Sequence, residues 1–67
     1  MKLLVNDKDM EIPEGMNITQ LLEHLGILSG RVVVERNESE IISRSKFDQI
    51  TLQDGDKLEI LNFVGGG

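Results

Sequence analysis

The residues that could do chemistry are few, and most of them fail on spacing. His24 is the single histidine, and it falls on the polar side of a helical pattern between Glu23 and Leu25, where a lone imidazole is solvated surface. Glu35, Glu38 and Glu40 read as an acidic strand edge and loop. Asp54-Gly55-Asp56 has the look of a cation loop but lacks the twelve-residue ligand spacing of one, and reads as a turn. No Ser, Thr or Lys has an activating partner in view. No cysteine is present, which removes thiolate nucleophiles and thiolate zinc sites. Catalytic residues: none; metal ligands: none.

What is left is Gly65-Gly66-Gly67, directly after the apolar run Leu61-Asn62-Phe63-Val64. Three consecutive glycines at a given place arise by chance about three times in ten thousand. Glycine has no Cβ, so such a segment passes through a slot too narrow for other residues. Extended, it reaches about 10 Å. If Gly67 ends the chain, its carboxylate can be delivered into another enzyme's active site while the folded body stays outside. A carboxylate is a poor electrophile and needs activation, as by attack on the α-phosphate of ATP. The acyl-adenylate can then pass to a sulfur or nitrogen nucleophile. On this reading Gly67 carries the reactive atoms, Gly65 and Gly66 thread, and residues 65–67 form a flexible tail on a body of residues 1–64.

The elements that would hold this tail are legible in turn. Lys2 to Asn6 and Met10 to Ile12 alternate like a hairpin around the turn-rich Asn6 to Asp9, and Pro13 and Gly15 end it. Asn17 suits a helix N-cap, with Gln20 three residues on as in a capping box. Ile18, Leu21, Leu22 and Leu25 then form one apolar stripe, and Gly26 suits the left-handed C′ position, with Ile27 against Leu22. The helix is expected at 18–25. Arg31 to Asn37 is β-branched and strand-like, Glu40 to Ile42 a short strand beside it, and Ser43 to Ile50 has no firm pattern, with Phe47 and Ile50 plugging the core. An Asp54-Gly55 turn leads into a last strand from Lys57 to Val64.

This order implies an α+β fold, a mixed sheet of four to five strands with one main helix on one face. The simplest closure puts the last strand beside the first in the middle of the sheet. If Leu3, Val5, Leu58 and Ile60 meet the helix, Leu4, Leu61 and Phe63 lie on the open face. With Val64 they form an apolar patch leading to the tail, and such patches mark partner-binding sites.

Composition sets the bounds. Sixty-seven residues make one small domain, in which the core is marginal. The formal net charge is −5, with twelve acidic and seven basic residues. The basic residues are scattered, which argues against nucleic acid and for a partner with a basic surface. The amino-terminal run is too short for a signal peptide or membrane span, so the expectation is a cytoplasmic chain, monomeric alone, with no membrane partner.

Taken together, "MKLLVN", "PEG" before a Leu-rich helix, "VVVERN" with "EIISRS", and above all "LQDGDKLEILNFVGGG" resemble the sulfur carriers of bacterial thiamine biosynthesis (ThiS-type), of the ubiquitin-like β-grasp fold. The resemblance covers essentially the whole chain. The family often has Pro where Ser43 stands, and Asn37 to Glu40 is about one residue longer than the usual turn. The resemblance implies that the Gly67 carboxylate is adenylated by a ubiquitin-activating-type adenylyltransferase using ATP. It becomes a thiocarboxylate with sulfur from a persulfide donor, and thiazole synthase is the acceptor. No cofactor would be bound on this chain, which would be a carrier and not an enzyme. The small subunit of molybdopterin synthase, a ubiquitin-like modifier and a β-grasp RNA-binding module are the competing readings.

Overall fold

The computed structural model describes residues 1–62, apart from the side chain of Ser29. Strand β1 (Lys2–Val5) and strand β2 (Lys8–Glu11) form a hairpin; helix α1 (Ile18–Leu25) follows, then β3 (Val32–Arg36), β4 (Glu40–Ile42) and β5 (Lys57–Asn62). The spatial order is β2-β1-β5-β3-β4. Strands β1 and β5 run parallel, with Leu4↔Lys57 and Val5↔Leu58 in register. The other pairings are antiparallel. The sheet is therefore mixed and five-stranded, with the last strand beside the first in its middle, as the sequence implies.

Helix α1 occupies 18–25, and its ends show why. The Asn17 side chain accepts from the Gln20 N–H at 2.8 Å, and the Gln20 side chain accepts from the Asn17 N–H at 2.9 Å. Gly26 takes φ 74°, the left-handed conformation that a Cβ disfavours. The Gly26 N–H then bonds Glu23 O at 3.1 Å and the Ile27 N–H bonds Leu22 O at 2.8 Å, a Schellman closure. The apolar stripe meets the sheet: Ile18, Leu21 and Leu22 are buried with Leu3, Val5, Val34, Leu58 and Ile60. Phe47 joins this core from the end of a 3-10 turn at Arg44–Lys46, and Ile50 packs against it.

Two hairpin turns carry consecutive positive φ values. Asn6 and Asp7 stand at 49° and 67°, Asn37 and Glu38 at 51° and 68°, as the central residues of primed turns require. Asn tolerates this conformation; for Glu38 it costs about 1–2 kcal/mol. After the second turn Ser39 stands between Glu38 and the Arg36↔Glu40 pair, so three residues join β3 to β4.

The expected strand end at Val64 and the boundary between body and tail fall on residues 63–67, outside the described residues. Among the described residues no helix is long and apolar enough to cross a membrane.

Candidate functional site

The carboxyl-terminal end of β5 is the root from which the triglycine continues, and three sets of contacts fix the strand, two at its amino-terminal start and one at Ile60. The first is the Asp54-Gly55 turn. The Asp54 carboxylate accepts from the Lys2 N–H at 2.7 Å, and the Gly55 N–H bonds Lys2 O at 2.7 Å. The Asp56 side chain is buried; it accepts from the Gln53 N–H at 2.9 Å and from Asn37 Nδ2 at 3.3 Å. Arg36 lies 4.0 Å away. A buried carboxylate without donors would cost several kcal/mol. Here the donors close the turn that aims β5.

The second set joins β5 to the β3–β4 hairpin. Asn37 Oδ1 accepts from the Lys57 N–H at 2.9 Å, and the Asn37 N–H bonds Lys57 O at 2.8 Å. The Lys57 ammonium reaches Glu38 at 3.2 Å. That hydrogen bond and the Glu38 charge hold the Lys57 pKa above the ordinary lysine value, with Asp7 and Glu59 adding to the pull.

The third set is the least expected. Chain direction leaves β1 at the Asn6–Asp7 turn, yet the Asn6 side chain stays in the ladder. Its Oδ1 accepts from the Ile60 N–H at 2.7 Å and its Nδ2 donates to Ile60 O at 3.2 Å. A side-chain amide thus stands in for the next peptide of β1. Nothing local in the sequence reveals this, because Asn6 in an Asn-Asp turn is already explained by its backbone.

The open face of the sheet carries the odd residues of β5: Lys57, Glu59 and Leu61. Leu61 is 55% exposed and stands opposite Val33. Leu4 is on the same face but pairs with Lys57, four residues down β5 and so about 13 Å from Leu61. The expectation of one continuous apolar patch from Leu4 to the tail is corrected by this register: Glu59 lies between them, opposite Glu35. Leu61 and Val33 form the apolar pair next to the tail root. Ile41, 64% exposed beside Glu35, is a further open-face apolar residue. Sequence reasoning omitted Val33 and Ile41, though strand alternation from Val32, Val34 and Ile42 would have found them. Phe63, Val64, Gly65, Gly66 and Gly67 lie outside the described residues.

Among the described residues no three His, Asp or Glu side chains gather as a metal site. His24 is exposed on α1. Glu35, Glu38 and Glu40 divide between the open face, the Lys57 pair and a 2.9 Å pair with Arg36.

The sequence pattern of the ThiS family matches residues 3–67. The chain belongs to the ThiS family. The chain is 38% identical over 66 residues to the sulfur carrier protein ThiS of Bacillus subtilis, covering 97% of this chain and 98% of that one. The crystal structure of a thiamine biosynthesis protein (ThiS) from Geobacter metallireducens superposes with a TM-score of 0.84 at 41% identity over the whole of both chains. This ThiS-family chain is also 45% identical, over all 67 residues, to part of a thiazole synthase of Paramagnetospirillum magneticum. The chain spans 20% of the length of that protein and of a second thiazole synthase, from Magnetococcus marinus. The β-grasp architecture expected of the ThiS-family chain is the one observed.

Proposed function

We propose that the chain is a sulfur carrier of thiamine biosynthesis and that the Gly67 carboxylate is its reactive group. The single observation that carries this reading is the full-length match to the Bacillus subtilis sulfur carrier, on a body whose central strand leads into Gly65-Gly66-Gly67. A ubiquitin-activating-type adenylyltransferase binds ATP and presents its α-phosphate to Gly67. The carboxylate oxygen bonds to the α-phosphorus and pyrophosphate leaves. The terminal sulfur of a persulfide then displaces AMP to give an acyl disulfide, and attack by a thiol on its S–S bond leaves the thiocarboxylate. Thiazole synthase accepts that sulfur. The two thiazole synthases that carry a similar segment support this acceptor. Gly65 and Gly66 thread the adenylating site, while Leu61 with Phe63 and Val64 docks the body and Leu4 contributes at its far side. The chain itself acts as co-substrate, not as enzyme, and binds no cofactor of its own.

Intact-mass analysis of the chain incubated with adenylating partner, ATP and persulfide donor tests the reading. The expected product ends at Gly67 and shows the mass gain of one oxygen exchanged for sulfur. A mass that stays that of the carboxylate under these conditions would sink the carrier reading. Covalent adducts on lysines would favour a protein modifier instead.

A further inference from the structure

Strand β5 runs past the end of β1. On the β3 side its ladder runs as far as Val32↔Asn62. On the β1 side the last strand pair is Val5↔Leu58, and the Asn6 side chain closes one more step at Ile60. Backbone groups along a strand alternate sides. Asp56 O, Leu58 O and both Ile60 groups bond toward β1, so the Asn62 N–H and C=O point the same way. They face the space beyond the Asn6–Asp7 turn, and among the described residues no hydrogen bond from that side meets the Asn62 N–H.

Unpaired strand groups of this kind are a template for an incoming strand. The sheet's outer edge at β2 is blunted by Lys8, Asp9 and Glu11, as exposed edges commonly are. The place beside Asn62 differs: it lies in the file of β1, inside the sheet, where no other described residue pairs with Asn62, stopped at one end by Asn6 and bordered on the open face by Leu61. A segment seated there would be held by main-chain bonds to β5 and by apolar contact with Leu61.

We propose that an extended main-chain segment of thiazole synthase adds to β5 in this place, pairing with Asn62. The inference rests on the carrier reading above. The synthase is the partner because two proteins of that name hold a segment similar to this entire chain, so this fold and that enzyme occur in one polypeptide. Pairing at Asn62 would also fix the register of delivery, because Gly67 is five residues on and reaches at most about 18 Å beyond it.

The test is isothermal titration of thiazole synthase with the full chain carrying Asn62→Pro or Asn62→Ala. Because the Asn62 N–H points away from β3, Pro at this position removes a donor the fold does not use, and the variant melts as the parent does. Pro weakens binding at least about fivefold, since a partner carbonyl is left unsatisfied; Ala, which keeps the N–H, stays within about twofold. Should the Pro variant unfold, an ester in place of the Asn62 amide, installed by ligation, gives the same loss. Parent-like binding by the Pro or ester form, with thiocarboxylate still made, overturns the inference and leaves the carrier reading standing. An Ala loss as large as that of Pro overturns it too, by assigning recognition to the side chain. A loss confined to the adenylating enzyme overturns the choice of partner. A parent chain that neither binds the synthase nor forms thiocarboxylate removes both proposals.

Discussion

Asn6 does with one side chain what β1 would otherwise need another strand residue to do. It leaves the strand at φ 49° and still pairs both polar groups of Ile60. Two demands meet at one position, and few residue types satisfy both: the left-handed backbone favours Asn or Gly, and the double pairing needs an amide. Asn6→Ala is expected to lower stability by about 2–4 kcal/mol, from unsatisfied Ile60 groups and from the backbone conformation. Asn6→Gly relieves the second cost and keeps the first, so urea unfolding of the two variants separates the contributions. Equal loss in both would show that the conformation costs nothing here. This residue also marks where sequence reading stops. Its turn role is local and legible; its partner is 54 positions away and leaves no trace in the neighbouring residues. Asp56 is similar. The Asp-Gly-Asp stretch reads as a turn, but only the folded chain shows that the second carboxylate is buried and ties Gln53 to Asn37.

At the scale of elements the sequence was far more explicit. Helix α1 announces its own limits, because Asn17, Gln20 and Gly26 make bonds within a few residues of themselves. Asn17→Ala removes the acceptor of the Gln20 N–H and a donor to Asp48 O, and should cost about 1–2 kcal/mol, read as a lower thermal midpoint with the same folded spectrum. An unchanged midpoint would mean that the capping box contributes nothing. The strands were legible from alternation and β-branching, and the closure of the sheet from simple order. Register was not, and it decides the open face. Leu4 and Leu61 look like neighbours when strands are merely placed side by side; the Leu4↔Lys57 pairing separates them. The triglycine was the plainest signal in the candidate site, since it depends on residue type alone.

For the whole molecule, the division of labour is between a covered face that makes the fold and an open face that does not. Leu61 is over half exposed beside Val33. Leu61→Ser should change stability by no more than about 0.5 kcal/mol, while weakening the complex with the adenylating partner about tenfold or more, as loss of an apolar anchor does. Titration of the parent and the Leu61→Ser chain into the partner measures this. Unchanged affinity would mean that Leu61 is incidental to docking. The covered face behaves in the opposite manner, since Leu58 and Ile60 of the same strand are core, so a single strand supplies both the interior and the proposed contact.

That strand is also the one that β1 requires. Leu4 and Val5 pair with partners more than fifty positions away, so the centre of the sheet is made of contacts between the two ends of the described chain. Loops of that length close slowly relative to local hairpins. The β1–β2 hairpin and α1 can form early, but neither has a complete sheet to rest on until β5 is inserted. Folding therefore acts as a checkpoint: a chain cut or stalled before Lys57 has no stable body for a partner to recognise, and every folded molecule has the root of its tail already in place.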